Sequence, residues 1–187
     1  IVGLGRIGMA AARRAKGFDM DIMFYDPELP NGVELGVGYR RARSMAELME
    51  ASDAISLHAP SQESTHHIIN VDSLKHAKDN LILVNTARGP LVDLDALHAA
   101  LKENRIAGAA LDVLPSEPPV PLHPLFQALQ AGEAWIRDRL ILTPHAAFFS
   151  PPANLDIRRK AAEVVLYYLR DGRLTNCVNG HLLRKNS

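Results

Sequence analysis

The sequence is poor in several features that each define a class of protein. Its 187 residues include one cysteine, Cys177, one tryptophan and only 5% aromatic residues. A lone cysteine cannot form an internal disulfide, so the chain is not a disulfide framework, and a reducing compartment, cytoplasmic or nuclear, is predicted. A membrane-spanning helix needs about 20 apolar residues, whereas the best candidates are the short runs 81–84 and 106–111. No membrane segment is therefore expected.

Charge of either sign is also not in excess. Twenty-one basic residues balance 21 acidic ones, and the densest basic cluster is the short segment 39–43. This balance argues against direct binding of nucleic acid or an anionic membrane, and small molecules or proteins are the expected partners. The length suits one domain. The chain begins without methionine, and only Ile1 and Val2 precede the first glycine, so we expect a domain truncated within its first strand.

Strand-like and helix-like segments alternate along the chain. Strands are predicted at 20–26, 38–41, 53–60, 80–87, 106–113 and 138–145. Helices are predicted at 6–18, 44–51, 70–77, 93–104, 125–136 and about 152–170, with a proline-rich loop at 114–124. Apolar strands separated by helices predict an α/β fold, a doubly wound, mostly parallel Rossmann sheet with helices on both faces. Ligands of such sheets bind beyond the carboxyl ends of the strands, where the strand order reverses.

Three glycines at the start of the chain predict a nucleotide cradle. Gly3, Gly5 and Gly8 have the spacing G-x-G-x-x-G, follow an apolar strand end and open a helix. They would supply a tight turn, backbone approach to a pyrophosphate, and close contact between helix and sheet. Glycines that serve packing alone are the alternative interpretation.

An acid at the end of the next strand favours NAD as the cofactor. Asp26 lies 18 residues beyond Gly8, and a carboxylate there accepts hydrogen bonds from ribose hydroxyls and repels a 2′-phosphate. Two alternatives remain open at this stage. The acid simply starts the turn before a proline, or one of Arg40, Arg41 and Arg43 reaches a phosphate.

Three polar residues follow strands at the edge where a ligand is expected: Arg88, Glu117 and His145. Each alone is explained as a surface cation, a loop acid or a hydrogen-bonded loop histidine. Together they suit carbonyl reduction, because a guanidinium holds a carboxylate at two points and histidine transfers protons near neutral pH. A carboxylate bonded to the second ring nitrogen would orient the imidazole and stabilise its charged form. The sequence thus predicts an acid–base site.

Six motifs, in order, resemble the cofactor-binding domain of the D-isomer-specific 2-hydroxyacid dehydrogenases. They are GLGRIG, YDP, LHAPSQESTHHIIN, LVNTARGPLVD, GAALDVLPSEP and LTPHAA, and the likeness extends to about residue 180. THHIIN, NTARG, TPHAA and NCVN also resemble the C-terminal-binding protein branch, the NAD-dependent transcriptional corepressors. The resemblance implies hydride transfer between NAD(H) and a 2-keto or D-2-hydroxy acid. The alternative it leaves open is an NAD-sensing corepressor or scaffold that dimerises on cofactor binding.

The resemblance also implies a role for each matching residue. It places Arg88 on the substrate carboxylate and carbonyl, His145 as the acid–base and Glu117 as its partner. The cofactor residues it implies beyond Gly3, Gly5, Gly8 and Asp26 are Arg6 and Ile7 over the pyrophosphate, Ala59, Pro60 and Thr65 beside the adenosine half, and Thr86, Ala87 and Asp112 beside the nicotinamide half. It further implies a homodimer through the cofactor domain. It also implies that a substrate-binding domain lies outside this chain and that residues from about 172 to 187 return toward it.

Two features depart from the family pattern. The segment 118–139, which contains Trp135, is longer than usual, and Phe148 stands where the corepressor branch tends to carry tryptophan. His66 and His67 are expected to have structural or capping roles, because neighbouring side chains diverge and make a poor metal pair. No metal site is predicted.

Overall fold

The computed structural model describes residues 1–180. The helices are α1 (Arg6–Lys16), α2 (Val33–Val37), α3 (Met45–Ala51), α4 (Val71–Leu74), α5 (Leu94–Lys102), α6 (Pro124–Gln130) and α7 (Pro151–Asp171). The strands are β1 (Met23–Phe24), β2 (Arg40–Arg41), β3 (Ala54–Leu57), β4 (Ile82–Asn85), β5 (Gly108–Leu111) and β6 (Leu140–Leu142). Short 3₁₀ turns cover Glu63–Thr65 and Gly89–Leu91.

The described strands all pair in parallel. Strands β3, β4, β5 and β6 are neighbours in that order, and β1 pairs with β2. Val2 bridges Tyr25 on one side and Leu57 on the other, which joins the two groups of strands. The spatial order is therefore β2, β1, Val2, β3, β4, β5, β6. The direction of winding reverses at Val2, next to the first glycine, as the doubly wound prediction requires.

Helices cover both faces of the sheet at its centre. Successive strand residues point to opposite faces, and the adjacent residues Met23 and Phe24 belong to separate hydrophobic clusters. Ala12 of α1 packs in the cluster of Phe24. Leu48 of α3 and Leu97 of α5, both fully buried, pack in the larger cluster with Met23. The prediction of helices on both faces is confirmed.

Several predicted boundaries are wrong, each for a local reason. The strands are shorter than predicted because residues at one or both ends of each predicted strand lie in the flanking loops. Helix α6 ends at Gln130, six residues early, since Gly132 has φ +69° and turns the chain. Helix α2 was not predicted; glycines in the left-handed conformation, Gly32 and Gly38, cap both of its ends.

Arg139 anchors the long segment 118–139 to the sheet. Its guanidinium donates to the carbonyl oxygens of Leu101, Trp135, Ile106 and Ala107 at 2.6–2.9 Å, and to the Asn104 side chain at 2.8 Å. Because these acceptors come from the end of α5, the start of β5 and the segment itself, one side chain ties together three stretches of backbone. The extra length therefore ends in a fixed position beside β6.

The chain divides into two compact units, Ile1–His145 and a second that begins at Ala146. The second unit contains α7, which Ser150 caps and which Gly172 ends at φ +64°. The single thiol, Cys177, is free. Residues 181–187, part of the segment expected to return toward a substrate domain, lie outside the described residues. Within residues 1–180, no helix is both long enough and apolar enough to cross a membrane.

Candidate cofactor and acid–base site

The three glycines serve three different purposes at the turn into α1. Gly3 has φ +84°, and a Cβ on it would lie 2.8 Å from the backbone nitrogen of Ala59. Gly8 sits so close to the carbonyl oxygen of Gly3 that a Cβ has no room. Gly5, by contrast, has no atom within 4 Å of its Cβ position. The turn is thus tight on the protein side and open on the side where a pyrophosphate would meet the first N–H groups of α1.

A cavity of about 300 Å³ opens beside this turn. Six residues predicted for the cofactor line it together: Gly3, Gly5, Asp26, Ala59, Pro60 and Thr65. The Asp26 carboxylate accepts the Leu4 backbone N–H at 2.8 Å and the Glu28 backbone N–H at 3.1 Å. These bonds hold the acid at the cavity wall, where a ribose hydroxyl can donate to its remaining lone pairs.

A second cavity, of about 430 Å³, adjoins the first. It contains four more of the predicted residues: Ile7, Thr86, Ala87 and Arg88. The two cavities share His58, Ala59 and Pro60 as a common wall. The two cavities together form a space with two lobes. The first lobe contains Asp26 and the open glycine turn, and a space of this kind fits a dinucleotide. Four other residues predicted for the cofactor line neither cavity: Arg6, Gly8, Asp112 and His145.

Buried Asn85 shapes the loop that carries Arg88. Its side-chain amide donates to the Arg88 carbonyl at 2.9 Å and accepts the Ala87 N–H at 3.0 Å. Arg88 lines the second cavity, and its guanidinium donates to the Ala87 carbonyl at 2.6 Å. The loop that carries Arg88 is therefore held from inside the sheet.

The structure brings Glu117 and His145 together as a bonded pair. The imidazole Nδ1 lies 2.7 Å from one carboxylate oxygen of Glu117, and the other oxygen accepts the Leu114 backbone N–H at 2.8 Å. The hydrogen bond with His145, and then that from Leu114, hold the pKa of Glu117 below its usual value. The charged carboxylate on Nδ1 fixes the orientation of the ring.

Asp112 bonds to the turn that carries His145. It follows β5, is 5% exposed, and its carboxylate accepts the Thr143 hydroxyl at 2.5 Å. Its backbone carbonyl accepts the N–H of His145 at 2.9 Å. Asp112 therefore links the strand end to the turn that presents the imidazole.

His58 is a cavity residue that the sequence reasoning missed. It belongs to the common wall of the two cavities, its Nε2 lies 2.9 Å from the Ser56 hydroxyl, and burial lowers its pKa. It follows an apolar strand at the carboxyl edge, which is the same signal that identified Arg88, Glu117 and His145.

The two adjacent histidines depart from expectation. The rings of His66 and His67 stack with their centroids 3.9 Å apart, so the prediction that they diverge is wrong. The rings lie flat against each other in the loop that follows the cavity wall. Among residues 1–180, no group of three or more His, Cys, Asp or Glu side chains could hold a metal ion.

The fold and the two-lobed space together define the class of protein. A parallel doubly wound sheet, a glycine turn at the reversal of strand order and an acid at the next strand end are the features of a dinucleotide-binding domain. The model of the family "D-isomer specific 2-hydroxyacid dehydrogenase, NAD binding domain" matches residues 1–147. The chain belongs to this family, and its cofactor is NAD.

Relatives of known sequence and structure agree with this assignment. The chain is 42% identical to a glyoxylate reductase of Thermofilum pendens over 164 residues, and 41% identical to one of Korarchaeum cryptofilum over 186 residues. These matches cover 88% and 98% of the chain, but 44% and 52% of the relatives. The chain thus spans about half the length of the curated relatives it matches.

Solved structures share the fold over almost the whole chain. The NAD-complexed D-isomer specific 2-hydroxyacid dehydrogenase of Lactobacillus delbrueckii ssp. bulgaricus has a TM-score of 0.80 at 27% identity, covering 95% of this chain and 54% of that one. A D-lactate dehydrogenase of Treponema pallidum has a TM-score of 0.79 at 35% identity, covering 93% and 53%.

Proposed function

We propose that this chain is the cofactor-binding part of an NAD-dependent D-2-hydroxyacid dehydrogenase, which interconverts a 2-keto acid and a D-2-hydroxy acid. The observation that carries the proposal is the 2.7 Å bond between Glu117 and His145, in the unit that also holds the two-lobed space. A nucleotide-binding domain without catalysis has no need of a carboxylate-oriented imidazole. The relatives are named as reductases and dehydrogenases, which favours the enzyme over the corepressor alternative.

Each residue of the trio has a defined task in this proposal. The cofactor's chemistry is the exchange of a hydride with the carbonyl carbon of the substrate. The Arg88 guanidinium binds the substrate carboxylate through two N–H groups and turns the carbonyl toward the nicotinamide half of the space. The His145 imidazolium gives its proton to the developing alkoxide, and Glu117 holds the ring in position. Asp112 and Thr143 fix the turn from which the imidazole projects.

The cofactor roles are part of the same proposal. Asp26 binds the adenosine ribose, the Gly3–Gly8 turn meets the pyrophosphate beneath Arg6 and Ile7, and the loop of Ala59, Pro60 and Thr65 encloses the adenosine half. Thr86, Ala87 and Asp112 face the nicotinamide half. We further propose that residues 1–187 act as one cofactor domain and that a separate substrate domain completes the cleft.

NADH binding and NADH turnover test the two parts of this proposal separately. We expect the chain to bind NADH, followed by nicotinamide fluorescence, and Asp26→Asn to weaken that binding. In a protein that carries both domains, NADH absorbance should fall with glyoxylate or larger 2-keto acids, and His145→Gln should remove that activity while NADH binding is retained. Tight NAD-dependent peptide binding without turnover of any 2-keto acid would instead support the corepressor.

We also propose a homodimer in the cytoplasm. The long helix α7 presents apolar side chains that are more than half exposed: Leu155, Val165, Leu166 and Leu169. Exposed apolar surface of this kind commonly marks a protein interface. Sedimentation that shows only monomer at high micromolar concentration with NADH present would contradict the dimer.

A further inference from the structure

The segment 26–30 carries Asp26. Its residues Asp26, Pro27 and Glu28 line the cavity of about 300 Å³, which is the adenosine lobe of the proposed cofactor site. It leaves the sheet after β1 and turns away before α2. The acid is bonded to Leu4 in the glycine turn and to Glu28 in its own loop. The segment runs along the outside of the domain with two prolines, so something other than sheet pairing must set its position.

Arg41, at the end of β2, fixes this segment from the neighbouring strand. One terminal nitrogen donates to the carbonyl oxygens of Asp26 at 2.8 Å and Leu29 at 2.7 Å, and the other donates to that of Pro30 at 3.0 Å. The carboxylate of Glu34 lies 3.6 Å from the Arg41 guanidinium, and the Arg41 side chain is 18% exposed. The guanidinium carbon of Arg41 lies 5.9 Å from the centre of the Phe24 ring. A rigid planar fork held at this many points cannot swing outward without breaking several bonds.

The sequence left open whether one of three arginines reaches a phosphate, and these bonds argue against that role for Arg41. Arg40, Arg41 and Arg43 all line a cavity of about 680 Å³ that shares Asp26 with the adenosine lobe, which is where a 2′-phosphate would extend. An arginine that binds a phosphate needs N–H groups directed at it. Both terminal nitrogens of Arg41 are directed at backbone carbonyls instead.

We propose that Arg41 is a positioning residue for cofactor specificity: it holds the 26–30 segment so that the Asp26 carboxylate stands fixed at the ribose. This inference rests on the proposed binding of NAD in the two-lobed space. A fixed carboxylate is ready to accept the ribose hydroxyls without the cost of ordering the loop, and it cannot retreat from a 2′-phosphate. Arg41 thus favours NADH and disfavours NADPH without touching either one.

Titration of the chain with NADH and with NADPH, followed by nicotinamide fluorescence, tests the inference. We expect Arg41→Gln to weaken NADH binding about 3- to 10-fold, and NADPH binding to stay level or improve because the loosened acid can move aside. Arg41→Lys, which keeps the charge but loses the fork, should give an intermediate result. Arg13→Gln is the matched control, because Arg13 is exposed and lines none of these cavities, and it should leave the ratio of the two affinities unchanged.

Hydrogen exchange adds a measurement that does not depend on the cofactor. The backbone amides of Leu4 and Glu28, both bonded to Asp26, should exchange faster in Arg41→Gln than in the unaltered chain. A selective loss of NADPH binding would make Arg41 a phosphate ligand and overturn the inference. An equal loss of both cofactors with unchanged exchange at these amides would overturn it too. If these amides exchange faster in Arg41→Gln but the unaltered chain binds neither cofactor, the proposed function fails while the positioning of the 26–30 segment by Arg41 stands.

Discussion

Gly89→Ala tests whether the packing of the Arg88 loop against the Leu114 loop fixes the position of the Glu117–His145 pair. Gly89 is buried at the start of a 3₁₀ turn, directly after Arg88, and its φ is not in the left-handed region. An alanine can therefore adopt its backbone conformation. Its Cβ, however, would collide with the backbone atoms of Leu114 and Pro115, which have no flexible tip to move aside.

The size of the effect follows from the geometry. The Cβ would lie 2.0 Å from the Leu114 carbonyl carbon and ordinary contact begins at 3.4 Å, so the two loops must separate by about 1.4 Å. The Leu114 backbone N–H donates to one Glu117 carboxylate oxygen at 2.8 Å, and the other oxygen lies 2.7 Å from Nδ1 of His145. A shift of about 1.4 Å would take the second distance beyond hydrogen-bond range. We expect a loss of about 1–3 kcal/mol in the free energy of unfolding, as for other overpacked sites.

The expected catalytic effect is larger than the loss of stability suggests. Misplacing a catalytic group by 1 Å can cost about 10²-fold in rate, so the kcat/KM for a 2-keto acid should fall by roughly that factor in a protein with both domains. Two-bond ¹H–¹⁵N spectra of the chain, assigned with His145→Gln, report directly whether the Nδ1 bond to Glu117 persists.

Two further variants make the test specific. Gly36→Ala, in a helix with open space around its Cβ position, should be neutral or stabilise the chain by up to about 1 kcal/mol. Glu117→Gln combined with Gly89→Ala should cost less than the sum of the single changes, because both remove the same bond. If Gly89→Ala matches Gly36→Ala in stability and leaves the His145 spectrum unchanged, the reasoning is refuted.

Two other predictions concern stability. Arg139→Met leaves a cluster of carbonyl oxygens without their donor and should cost about 3 kcal/mol by urea denaturation, whereas exposed Arg137→Met should change it by less than about 0.5 kcal/mol; equal effects would contradict the anchoring role of Arg139. Burial lowers the pKa of His58 from 6.5, so the unfolded chain takes up a proton before the folded one does, and stability falls as pH drops below about 6.5. His58→Gln should make the urea midpoint less dependent on pH between 7.5 and 5.5, and an unchanged dependence would contradict this.

Local sequence patterns predicted most of the elements and the edge at which the site lies. A serine with a glutamate three residues later predicts a capping box at the start of α3. Ser44 does cap α3 by accepting the Glu47 N–H, but the Glu47 carboxylate accepts the N–H of Arg43 and not that of Ser44. Helix α2 was missed because its five residues carry too short a pattern to distinguish from the loop before it. His58 was missed because the strand predicted at 53–60 extends past it, whereas the strand ends at Leu57 and leaves His58 at the carboxyl edge.

The sequence by itself determined the alternation of elements, the glycine turn and the chemical types available at the strand ends, because these depend on contacts between near neighbours. Only the tertiary structure decided which of those side chains meet. It joined Glu117 to His145 across 28 residues, directed Arg41 at backbone carbonyls, and pressed Gly89 against Leu114. Such pairings depend on the order of strands and the course of loops between them, which bring together residues that no local pattern relates.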